Sequence, residues 1–282
     1  MVLRERTTAA RGRATTVGSV DPSSRWREIM AGPEEELPLD EAALLISAEA
    51  GTGVDVTRQL ARLDAAAAQI EPNDADAVCR FVFETLGLQG DGQTYDDPRN
   101  SYLDQVLERR LGIPISLSVL LMEIGRRCGV PLEGVGMPGH FLVRDPARPD
   151  LLIDAFAGGR RLDRAACASL LNTMAGTEVE LRPDYLARVG ARAILVRMLA
   201  NLDQSFLRRN DADGRRWVTR LRASVPGQSP AAQVALADTL AELGSPDEAA
   251  ALLEELARGP HTSTDVARRL RTKARGLVAP YN

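Results

Sequence analysis

The chain has 282 residues, a formal net charge of −4, 44% hydrophobic residues and only 4% aromatic ones. That length holds one large domain or two modest ones, each with an aliphatic core, and the acidic balance excludes a basic nucleic-acid footprint over the whole chain. No apolar run approaches the roughly 20 residues of a membrane span. The three cysteines, Cys79, Cys128 and Cys167, have no metal-ligand spacing and fit a reduced, cytoplasmic protein.

Residues 1 to about 24 are rich in Arg, Thr, Gly and Ser without apolar period, and are expected to be disordered. The Arg-rich start has no apolar h-region, so it does not read as a secretory signal. Helical signal begins near Trp26. From Leu39 to Ile70 apolar residues recur at helical spacing, with Gly51 and Gly53 splitting the stretch into two helices. A third helix is expected over Ala75–Leu86, stopped by Gly87. Residues 90–100 include the turn formers Gly90, Gly92, Asp96, Asp97, Pro98 and Asn100, which reads as a loop. Ser101 then fits an N-cap for a helix bearing Leu103, Val106, Leu107 and Leu111. The next helix runs from Pro114 or Ser116 to Cys128.

After Gly129 the period changes. Val130–Met137 is short and β-like, His140–Arg144 and Leu151–Phe156 read as strands, and Asp145, Pro146 and Pro149 make the turn between them. Asp163 is placed to cap one more helix. From Pro183 onward the pattern is helical. Ala231–Arg258 looks like one tetratricopeptide unit and Tyr185–Leu221 like a weaker one, too few for an independent solenoid. The expectation is a domain over 25–180 and a helical tail over 181–282 packed on it.

If the hairpin turn centres near residue 147, His140 and Asp154 face each other across adjacent antiparallel strands, within hydrogen-bonding reach. A carboxylate there fixes the tautomer of the imidazole and stabilises its cation, as in the second half of a nucleophilic triad. The same spacing suits a purely structural His–Asp bond. The loop Tyr95, Asp96, Asp97, Arg99 and Asn100 concentrates polar groups for a pocket near His140, or for bonding its own backbone. One histidine with two aspartates falls short of a zinc set, so no metal or other cofactor is expected. Cys79, Cys128 and Cys167 read as core packing, and His261 as loop surface.

Four blocks in order, Tyr95–Leu103, Arg110–Ser118, Pro138–Arg144 and Ile153–Gly159, resemble SirB1-type transglutaminase-like proteins. The resemblance covers about residues 85–165. It implies an α+β fold: a transglutaminase-like (papain-like) core of helices packed on a small antiparallel sheet, followed by the helical tetratricopeptide-like tail. In that superfamily a nucleophilic cysteine begins a helix that ends in a Gly-x-Pro turn, matched here by Gly129–Val130–Pro131. Counting back from that turn places Pro114 at the cysteine position, while His140 and Asp154 take the histidine and aspartate positions. The resemblance therefore implies either a non-catalytic protein that holds a peptide or protein partner, or a hydrolytic or acyl-transfer enzyme in which Ser116 works with His140 and Asp154. Neither nucleic acid nor membrane is an expected partner. Ser116 equally fits an N-cap hydroxyl bonded to its own helix.

Overall fold

The computed structural model describes residues 21–71, 74–260 and 262–279. Of the expected disorder over residues 1 to about 24, residues 1–20 lie outside the described residues, as does the surface placement of His261, while Pro22–Ser24 are helical instead, because Asp21 caps the helix they open. The first helix, α1 (Pro22–Ala31), starts earlier than the Trp26 signal suggested. Asp21 accepts a hydrogen bond from the Ser24 N–H, and Pro22 supplies a preset φ at the first helical position. The chain continues through α2 (Leu39–Glu49), α3 (Val56–Ala67) and α4 (Ala75–Arg80), which runs on as a π-turn over Phe81–Thr85.

The two-residue strands β1 (Gln89–Gly90) and β2 (Leu111–Gly112) pair in parallel around α5 (Leu103–Arg109). Tyr102, not Ser101, takes the N-cap position of α5, because Ser101 closes a 3₁₀ turn over Pro98–Asn100. Helix α6 (Pro114–Arg127) follows, and each residue from Pro114 to Gly125 is buried.

The strands β3 (Glu133–Val135), β4 (Leu142–Arg144), β5 (Leu152–Asp154) and β6 (Arg160–Leu162) form one antiparallel meander in sequence order. Period-two alternation sorts its faces. Phe141, Val143 and Ile153 join the main core with α6, whereas Val135, Leu142, Leu152 and Leu162 form a second cluster with Cys167 and Leu171 of α7 (Arg164–Ala175). Helices thus cover both faces of a small antiparallel sheet, the α+β arrangement expected from the sequence. Asp163 caps α7 through the Ala166 N–H, as its position suggested.

The C-terminal region is helical: α8 (Ala191–Arg208), α9 (Ala212–Ala223), α10 (Pro230–Glu242), α11 (Pro246–Arg258) and α12 (Thr264–Val278). Its apolar residues divide between two clusters. Leu195, Met198, Leu199 and Leu202 of α8 and Val218 of α9 belong to the main core, while α10–α12 share a separate cluster built on Leu240, Leu253 and Leu270.

Trp26 ties the two ends of the main core together. Its ring is 1% exposed, and its Nε1–H donates to Ser224 Oγ at 2.8 Å, just past α9. Trp26→Ala is expected to lower the unfolding free energy by about 3–5 kcal/mol, and Trp26→Phe by less. Urea denaturation followed by circular dichroism checks this; an unshifted midpoint for Trp26→Ala would contradict the packing described.

Candidate functional site

His140 lies in the turn before β4 and Asp154 ends β5. The ladder pairs Val143 with Ile153 and Arg144 with Leu152. The turn therefore centres one residue later than the sequence suggested, and the extended register would set His140 opposite Phe156. The two residues are diagonal, not directly opposed. A displacement of two along one strand preserves the face, whereas a displacement of one would have reversed it. Nε2 of His140 lies 2.9 Å from Oδ1 of Asp154, and both side chains are buried.

Asp154 is held from several sides. The N–H groups of Phe156 and Ala157 donate to Oδ1 at 3.1 and 3.2 Å, and Arg160 approaches Oδ2 at 3.5 Å. Burial pushes the carboxyl up, but the His140 bond and charge, the Ala157 N–H and Arg160 outweigh it, so the pKa lies below the ordinary value. Asp154 is then ionised at neutral pH and can only accept. Nε2 must carry the proton, which leaves Nδ1 as the ring position available to another group.

Around the pair, the Phe156 ring stands edge-on to His140 with centroids 6.3 Å apart, and Tyr95 stands edge-on to Phe156 at 6.0 Å. Phe156 fits because position 90 is glycine: a Cβ there would lie 2.5 Å from the Phe156 carbonyl oxygen. The turn carrying His140 is fastened from α8, where Arg197 Nη2 donates to the carbonyls of Met137 and His140 at 3.0 and 2.6 Å.

The loop candidates separate. Tyr95 is 43% exposed and belongs to the aromatic wall beside His140. Asp96 pairs with Arg208 of α8. Asp97 accepts from the Arg99 backbone and side chain, so these two satisfy each other at the surface. Asn100 is fully buried; its amide donates to Asp91 and to the Thr94 carbonyl, and its oxygen accepts from Arg109. The organiser of the loop is Asp91, which the sequence reading passed over. Burial raises its carboxyl, but bonds from Thr94, Asn100 and Gln93 bring the pKa down to about 2. The Asp91-x-x-Thr94 spacing, typical of a side chain closing a turn on its own backbone, was a usable signal.

Ser116 does not join His140 by any hydrogen bond among the described residues. Its Oγ is fully buried, donates to the Asn100 carbonyl at 2.6 Å and accepts from the Ile113 N–H at 3.1 Å. That is the capping arrangement, placed at the third residue of the helix instead of before it. Pro114 is the first residue of α6. Among the described residues no group of three His, Cys, Asp or Glu side chains is placed to hold a metal ion, and no helix is long and apolar enough to cross a membrane.

A family model described as the transglutaminase-like superfamily matches residues 52–200. The chain belongs to the transglutaminase-like superfamily. It is 39% identical over 223 residues to a UPF0162 protein of Xylella fastidiosa, covering 73% of this chain and 78% of that one. It is 35% identical over 193 residues to UPF0162 protein PA3419 of Pseudomonas aeruginosa, covering 66% and 70%. Human F-box only protein 21 is 34% identical over 143 residues, which are 48% of this chain and 22% of that protein. No solved structure matches the chain. The transglutaminase-like match contains His140, Asp154, the residue at the helix start, Pro114, and most of α8.

Two outcomes follow from the His–Asp geometry. The chain has two histidines, so the His261→Ala variant leaves one imidazole to observe. Long-range ¹H–¹⁵N spectra at pH 8 are expected to show His140 protonated on Nε2; protonation on Nδ1 would refute the assignment. Because the folded-state pKa of Asp154 is depressed, its stabilising contribution is complete above about pH 4, the unfolded value. It is lost as pH falls through the folded value. The stability gap between wild type and Asp154→Asn should therefore be present at pH 5 and narrow below pH 4. A gap that widens in acid would reverse the sign of the shift.

Proposed function

We propose that this transglutaminase-like chain works by binding, holding a peptide or protein partner at the His140–Asp154 site without a cysteine nucleophile. The observation that carries this reading is Pro114 at the first position of α6. A helix start favours a thiolate, since the dipole and the free N–H groups stabilise negative charge there. Proline offers no nucleophile and fills the position with a ring that suits the first helical turn.

The remaining sulfur supports the same view. Cys79 and Cys167 are buried, Cys128 is half-buried, and burial raises all three thiols. A thiol held above its ordinary pKa is a poor nucleophile at neutral pH. The alternative, acyl transfer by Ser116, requires the hydroxyl proton to pass to His140; that proton is directed at the Asn100 carbonyl. Human F-box only protein 21 carries its similar segment within a chain several times longer, a setting that suits a domain used as a binding module. Kinship with SirB1-type proteins, a tetratricopeptide-like role for the α10–α11 pair, and a cytoplasmic setting in keeping with the free cysteines belong to this reading.

Treatment of the folded protein with a fluorophosphonate probe and with iodoacetamide tests it. Ser116 should remain unlabelled, and Cys128 should react first and slowly. Peptides selected from a displayed library should lose affinity at least tenfold in His140→Ala. Labelling of Ser116 that disappears in His140→Ala would establish the serine enzyme instead.

A further inference from the structure

We propose that Arg197, on the far side of the His140 turn, forms the charged half of a carboxylate subsite, so that the bound peptide is one bearing a carboxylate next to an apolar residue. The inference rests on the binding function above and names the class of peptide bound.

Arg197 lies midway along α8 and spends one nitrogen, Nη2, on the Met137 and His140 carbonyls. Its carbon Cζ sits 5.5 Å from the centroid of the Phe141 ring. Among the described residues its Nε and Nη1 make no hydrogen bond, and no carboxylate lies within 4 Å of it. On the same helix Arg192 and Arg208 are paired, with Glu34 and Asp96. A half-buried guanidinium lacking a counter-ion carries a desolvation cost that an anion would offset, which is why such groups are ordinarily paired. Here burial lowers the pKa of Arg197, and the nearest titratable group acting on it is the Tyr95 phenol. The two carbonyls already bonded leave a planar fork with donors to spare, the arrangement that carboxylates match.

The neighbours supply the apolar half. Tyr95, Phe156, His140 and Arg197 follow one another: Tyr95 stands edge-on to Phe156, Phe156 stands edge-on to His140, and the His140 carbonyl accepts from Arg197. Tyr95 is 43% exposed and Met174 46%, two of the five exposed large apolar side chains among the described residues. Met174 lies against the same turn, since a Cβ at Gly139 would be 3.6 Å from its side chain. Two exposed apolar side chains therefore flank a turn backed by an uncompensated cation, and charge complementarity selects an acidic ligand. The other ionised groups at the site cancel: Asp154 is faced by Arg160, and Asp96 by Arg208.

The test uses the full chain and three sets of fluorescent hexapeptides of matched apolar content. One set ends in a free carboxylate, one is amidated but contains Asp or Glu, and one is amidated and free of acids. Fluorescence polarisation should favour at least one acidic set over the neutral set by tenfold or more, and the set favoured identifies the source of the carboxylate. Arg197→Gln should bring the acidic-to-neutral affinity ratio close to one, and Arg197→Lys should restore part of it. Tyr95→Ala should weaken all three sets without changing their ratio. The Nε2–H signal of His140 in Arg197→Gln shows whether the turn has kept its form; where it has not, the Arg197→Lys ratio decides. Peptides bound without preference for acids, or a preference unchanged in the Arg197 variant, overturn the carboxylate subsite alone. Failure of all three sets to bind overturns the binding function together with it.

Discussion

The structure depends on the burial of α6. Twelve consecutive residues, Pro114 to Gly125, are out of water, so the helix has no solvent face on which to leave a polar group. Each end must then be satisfied from within the protein. At the start, Pro114 removes one unpaired N–H and Ser116 accepts from the Ile113 N–H while donating to the Asn100 carbonyl. At the far end, Arg127 gathers Asp40, Asp64 and Glu123. Glu123 has its carboxyl raised by burial and by Asp40, with Arg126 and Arg127 opposing.

That constraint reaches the loop before α5. Asn100 can offer its carbonyl to Ser116 only because its side chain is held by Asp91, Thr94 and Arg109. The polar residues of the loop are consequently turned inward or onto each other, and Tyr95 is the one left facing the His140 surface. A hydrogen-bond network built to bury a helix thus decides which loop side chains can meet a ligand. The short β1–β2 pair has the same logic: Gly90 lets Phe156 lie flat against the backbone, and the aromatic wall beside His140 follows.

The His140–Asp154 pair also serves the structure. Asp154 stitches the start of the β5–β6 connection through two backbone N–H groups, and His140 donates to the same oxygen. Replacing Asp154 by an apolar residue would leave the buried His140 Nε2 without its acceptor, a cost of about 1–3 kcal/mol. Retention of the pair is therefore compatible with a role in shape and recognition. The C-terminal helices divide along similar lines. Helices α8 and α9 are part of the main core and supply Arg197 and Arg208 to the site region, while α10–α12 pack chiefly on one another.

The sequence alone determined the element types, because period and punctuation are local. Gly51 and Gly53 part α2 from α3, Asp163 caps α7, and the change of period after Gly129 marks the sheet. It also pointed to His140 and Asp154 sharing a face, since the two lie symmetrically about a turn near residue 147 and a two-residue error in register leaves the face unchanged. What it left open depended on partners distant in the chain. Ser116 reads equally as nucleophile or cap until Asn100, 16 residues earlier, is placed against it. Strand β6 and the β1–β2 pair are too short to show a period. Arg197 lies 57 residues after His140, within a regular helical pattern. No local signal distinguishes it from the many arginines that face water. Only the packing of α8 brings its guanidinium under the His140 turn and half-buries it, because burial and pairing are properties of tertiary neighbours and not of spacing.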